Sequence, residues 1–129
     1  MSRTCKPKRL EDLILETTDE DIRNLASSVL ARGGGSLTSS ELLHTDIVSF
    51  LTDQSFLFFL NDILNAIESD FLGSVHLFYV LSIRAKKESL KTLLLKSKDH
   101  RQRINLFVHR LKEMPTTQDY LEELTELSL

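Results

Sequence analysis

The longest apolar run of the chain lies between Phe56 and Ile83, FLFFLNDILNAIESDFLGSVHLFYVLSI, and its pattern predicts two successive helices. At about 100° per residue, Asn61, Asp62, Asn65, Glu68 and Ser69 fall in one stripe roughly 120° wide, and the rest of that first helix is apolar. In the second helix Ser74, His76, Ser82 and Arg84 scatter around the circumference. No solvated face can be drawn through them, and a helix without one is expected to be buried on every side. A hydrophobic helical hairpin is thus the expected centre of the fold, with His76 a core histidine hydrogen-bonded to a backbone carbonyl.

Helical signals flank this centre on both sides. Leu10, Leu13 and Ile14 suggest a short helix, and Thr18 is the expected N-cap of the next, with Asp19, Glu20 and Asp21 in its first turn. Ile22, Leu25, Ala26, Val29 and Leu30 form one apolar face that should stop at Gly33. The Gly33-Gly34-Gly35-Ser36 run is the clearest break. It reads either as a native loop or as a flexible linker tethering residues 10–32 to a bundle of residues 37–129. It is no phosphate cradle, because Leu37 and Thr38 stand where a P-loop needs Lys and Ser/Thr. Thr38 and Glu41 make a capping box, and His44-Thr45-Asp46 interrupts the helix that follows. Asp53 is the expected cap of the first central helix, and Ser69 or Asp70 opens the second. That helix either continues to Leu94 or breaks near Lys86. Asp99 caps a helix with Ile104, Phe107, Val108 and Leu111 on one face, Pro115 stops it, and Thr116 or Thr117 starts a last helix. No segment alternates with period two and no repeat is evident. The expectation is an all-α, single compact domain of six to eight helices.

Composition sets bounds on this picture. A 129-residue chain forms one domain that buries roughly two-thirds of its unfolded surface, and 41% hydrophobic with 27% charged residues places it in the globular range. Cys5 is the only cysteine, which excludes an internal disulfide and suggests a reducing, intracellular compartment, nucleus or cytoplasm. MSRTCKPKR leads into LEDLILETTDED rather than into the apolar run of a secretory leader. Asp62, Glu68 and Asp70 argue against a membrane span in the central stretch. Charge is segregated. Residues 1–9 form a basic tail with four bases and no acid, residues 10–83 hold twelve acids against Arg23 and Arg32, residues 84–112 hold ten bases against Glu88 and Asp99, and the remainder has five acids and no base.

Candidate chemistry is sparse. His44, His76, His100 and His109 contain no pair at helical spacing, and no flanked nucleophile or paired carboxylates in apolar surroundings are present. No catalytic, metal or cofactor residue is therefore nominated, and a non-enzymatic interaction module is expected. If one regular helix runs through residues 86–98, Lys87, Lys91 and Lys98 share a face of it, and Arg101, Arg103, Arg110 and Lys112 follow, a set that suits either phosphates or acidic protein surface. Aromatic residues do not interleave with them, which favours acidic protein, in this chain or a partner, over nucleic acid. Phe58 falls inside the polar stripe with Asn61, Asp62 and Asn65, so these four are the candidate partner-binding residues unless Phe58 is covered by the chain itself. A partner protein engaged through a helix or groove is the first expectation, with homo-oligomerisation open.

Two short stretches carry resemblances. Leu121, Leu124, Leu127 and Leu129 have the spacing of a leucine-rich nuclear export signal, which implies recognition by an exportin groove, and Lys6-Pro7-Lys8-Arg9 resembles a weak import signal. Leu90-Lys91-Thr92-Leu93-Leu94 resembles the LxxLL box that docks on nuclear receptors, although core leucines give the same pattern. The expected architecture is similar in outline to Bcl-2-like folds and to short stacked-helix repeats, without a motif of either.

Overall fold

Residues 6–129 are described by the computed structural model; Met1, Ser2, Arg3, Thr4 and Cys5, with that part of the basic tail, lie outside them. The described residues form ten α-helices: α1 Leu10–Leu13, α2 Glu20–Ala31, α3 Ser39–His44, α4 Ile47–Phe50, α5 Asp53–Phe58, α6 Leu60–Ser69, α7 Val75–Lys86, α8 Glu88–Lys96, α9 Lys98–Lys112 and α10 Leu121–Leu127. 3₁₀ turns at Leu72–Ser74 and Pro115–Tyr120 lead into α7 and α10. Among the described residues there is no strand, only an isolated antiparallel bridge between Ile14 and Leu51. The protein is an all-α single domain. Its helices outnumber the six to eight expected because three of them break, at Thr45-Asp46, at Phe59 and at Lys87, where the backbone turns extended (φ −66°, ψ 135°).

Helix starts follow local chemistry with small shifts in register. The capping box forms as expected, Glu41 N–H donating to Thr38 Oγ1 at 3.1 Å and Thr38 N–H to Glu41 Oε1 at 2.9 Å. The cap of α2 is Asp19 rather than Thr18. Thr52 caps α5 in place of Asp53, and Ser97 caps α9 in place of Asp99. In the last two cases a hydroxyl residue precedes the acid, takes the cap, and leaves the acid in the first turn, where the helix dipole favours it.

Residues 10–32 share the core with the rest of the chain. Leu13, Ile14, Ile22, Ala26 and Val29 are buried, and Thr52 and Ser55 both donate their hydroxyls to the Asp12 carbonyl, at 2.6 and 2.7 Å. The glycine run ends α2: Gly33 (φ 111°) and Gly34 (φ 66°) are left-handed, and Gly34 N–H donates to Val29 O at 2.8 Å. A Cβ on Gly34 would meet the Pro7 carbonyl at 2.9 Å, so glycine is required there on two counts. An Arg32–Glu41 ion pair spans the loop.

The central hairpin is α6 and α7, packed on α9 and α10. In α6, Ile63, Leu64, Ala66 and Ile67 face inward, as the periodicity predicts. In α7 the expectation fails. His76 is 75% exposed, with Nε2 3.5 Å from Asp46, and is not a core histidine. Tyr79 and Ile83 also face outward, at 63% and 46% exposure, whereas Ser74, Ser82 and Arg84 are buried. The buried polar groups are accommodated by backbone oxygens: Ser82 Oγ donates to Phe78 O at 3.0 Å and Arg84 Nη1 to Val48 O at 2.8 Å. Once its hydrogen bonds are satisfied a polar side chain packs inside without the full desolvation cost, so polarity alone did not mark the outer face.

Candidate functional site

Phe58 ends α5, half-buried against the core, with its ring edge-on to Phe59 at 5.0 Å. Asn61 is exposed, Asp62 accepts from Leu37 N–H at 3.2 Å, and Asn65 accepts from Arg103 Nη2 at 2.9 Å. Two of the four candidate contact residues are thus engaged within the chain, and Phe58 is partly covered. The basic set is also divided. Glu68 takes Arg103 on one carboxylate oxygen (2.8 Å) and Arg110 on the other (2.9 Å), which pins α9 to α6. Lys87, Lys91, Lys98 and Arg101 are exposed and make no ion pair among the described residues.

The leucine patterns serve the core. Leu90 and Leu94 are buried and Leu93 packs against them. Leu124 and Leu127 are likewise buried, and Leu129 is held by Asn105, whose side chain donates to Leu129 O (3.0 Å) and accepts from Leu129 N–H (2.8 Å). Leu121 alone of the four is exposed. An exportin groove would have to detach α10 to reach the others.

A further surface feature is the outer face of α7. His76, Tyr79, Ile83 and Lys86 are its exposed residues and lie in a stripe about 80° wide, the i, i+3, i+7, i+10 spacing of a seam for another helix. Clefts run along both sides of this ridge. One, of about 400 Å³, has Val75, Phe78, Tyr79, Ser82 and Ile83 on the α7 side, and Tyr120, Glu122, Glu123 and Glu126 opposite. Beneath it Phe78 and Tyr120 meet edge-on at 5.8 Å and Phe71 joins both, at 5.3 and 5.2 Å. Tyr120 contacts α7 at Phe78, and Lys86 pairs with Glu126. The two helices therefore run in the same direction, and the cleft between those contacts extends along α7 for about 12 Å at 1.5 Å per residue. The second cleft, of about 460 Å³, is lined by Leu15, Ser49, Asp53, Val80, Ile83, Arg84, Lys87 and Ser89. Leu15 there is 51% exposed, so a second exposed apolar side chain borders Ile83's cleft on this side of the ridge.

Arg84 supports this ridge from beneath. Its guanidinium lies 4.9 Å over the Phe56 ring and 3.1 Å from Asp53; burial pulls its pKa down and Asp53 partly restores it. The part-buried histidine of the chain is His100, in the first turn of α9, whose pKa is lowered chiefly by burial, against a hydrogen bond to the Leu57 backbone. No group of three or more candidate metal ligands converges among the described residues, and no helix there is long and apolar enough to cross a membrane.

No known protein family, curated protein or solved structure matches this chain.

Proposed function

We propose that the protein is an interaction module that binds another protein through the exposed face of α7. The supporting observation is the exposure of Tyr79 and Ile83 between two clefts, on a helix that buries Leu77, Phe78, Leu81 and Ala85 together with Ser82 and Arg84. An exposed large apolar residue is unremarkable singly, but a contiguous patch with polar margins is the usual character of a binding surface. Tyrosine in such a patch combines a broad contact area with a hydrogen-bonding tip, which makes it a common anchor.

The competing function, nucleic-acid binding by residues 84–112, has less support because Glu68 already engages Arg103 and Arg110. Affinity capture from native cells, with and without nuclease, separates the two. The expected result is a protein partner that survives nuclease and is lost with Tyr79→Asp/Ile83→Asp, whose melting temperature stays within about 2 °C of wild type. A partner lost on nuclease treatment, or retained by the double variant, overturns the proposal.

A further inference from the structure

The cleft between α7 and α10 is chemically asymmetric. On the α7 side Val75, Tyr79 and Ile83 recur at i, i+4 and i+8, an apolar wall along about 12 Å of helix. On the α10 side Glu122, Glu123 and Glu126 line the cleft within about 100° of helix, and Lys86, paired with Glu126, is the one cation lining it among the described residues. Three acids against one base leave the wall with a net charge of −2. Glu126, in the last turn of α10, is accounted for by its pair with Lys86, which leaves Glu122 and Glu123 as the acids of the cleft without an ion-pair partner among the described residues. Placed alongside α7, these acids face whatever lies on Tyr79.

We infer that this cleft takes a basic amphipathic helix of two to three turns, with apolar side chains on Tyr79 and Ile83 and lysines or arginines toward Glu122 and Glu123. The inference rests on the proposed function and specifies its partner. A helix laid against α7 covers the ridge, and its cations meet carboxylates at the rim of a low-dielectric surface, where opposite charge selects partners more than it adds affinity. An acidic helix of the same shape brings like charges together along the whole contact.

The test uses two peptides of about fourteen residues, each with leucines at i, i+4 and i+7; one carries lysines beside the leucines and the other glutamates. They are titrated by fluorescence anisotropy against the full chain. The lysine peptide should bind at least about tenfold more tightly than its twin, and the gap should shrink with added salt. Glu122→Gln/Glu123→Gln should remove the preference without removing binding, and Tyr79→Asp should abolish both. Glu122→Lys/Glu123→Lys should reverse the preference; the Gln pair keeps the test decisive where the Lys pair weakens α10. Equal binding of the twins, binding of neither, or a preference that persists in the Gln variant overturns the inference. So does a concentration-dependent dimer in sedimentation that Tyr79→Asp dissolves, which would make a second copy the occupant. Capture of an acidic partner lost with Tyr79→Asp/Ile83→Asp would defeat the inference alone, whereas a partner indifferent to that variant defeats the proposed function itself.

Discussion

The two helices of the central hairpin obey different rules. Along α6 the polar residues Asn61, Asn65 and Ser69 face out and Ile63, Leu64, Ala66 and Ile67 face in. Along α7 Ser82 and Arg84 face in and Tyr79 and Ile83 face out. The difference comes from what surrounds each helix. The inner face of α6 meets apolar side chains, so polarity sorts its residues cleanly. The inner face of α7 lies where the Val48 carbonyl and Asp53 can receive a guanidinium, and its outer face borders clefts rather than open water. A buried polar group with partners is stable, and a single exposed apolar one costs little.

Substitutions along α7 test this contrast most sharply. Leu81→Ala should lower stability by about 2–5 kcal/mol in urea unfolding, while Tyr79→Ala, two residues away, should change it by no more than about 0.5 kcal/mol. Comparable losses at both positions would place Tyr79 in a core and erase the difference between the hairpin's helices.

A smaller effect is expected at Arg84. Arg84→Met keeps the length and apolar stem but orphans the Val48 carbonyl and leaves Asp53, itself partly hydrated, without its cation. A loss of about 2 kcal/mol should follow. A neutral result would mean that the inward polar residue is tolerated rather than needed.

The smallest effect lies far from the hairpin, at the loop where α2 meets α3. Arg32 hydrogen-bonds Glu41 and draws its carboxyl from 4.5 to about 2, against the opposing effect of burial. Because the folded value is the lower one, the contribution is complete above pH 4.5 and is lost as pH falls toward about 2. With Arg32 partly exposed, screening should hold it below about 1 kcal/mol. Arg32→Gln should flatten this part of the acid-unfolding curve, and an unchanged slope would show that the pair adds nothing to stability.

Much of the fold was legible in the chain. Scarcity of breakers and the 3.6-residue period gave the all-α class, the apolar run gave the α6–α7 hairpin, and the Thr38–Glu41 box and the stop at Gly33 were found where their chemistry put them. Caps of α2, α5 and α9 were misplaced by one or two residues where a hydroxyl and an acid competed for the same helix start, and the starts of α7 and α10 by three to five, because 3₁₀ turns at Leu72–Ser74 and Pro115–Tyr120 intervene after Ser69-Asp70 and around Thr116-Thr117. The pairing of Glu68 with Arg103 and Arg110 was foreshadowed only as charge segregation, since no local pattern tells which acid meets which base across 35 and 42 residues.

The outer face of α7 was in the sequence as well, as the spacing of His76, Tyr79, Ile83 and Lys86, but polarity does not mark it, because Tyr79 and Ile83 stand in it while Ser82 and Arg84 are buried. Periodicity by itself determines which residues of a helix share a side. Which side then faces the core depends on the groups that other segments bring up to it, here Val48 and Asp53, and only the tertiary structure decides that, because burial is a property of neighbours distant in sequence.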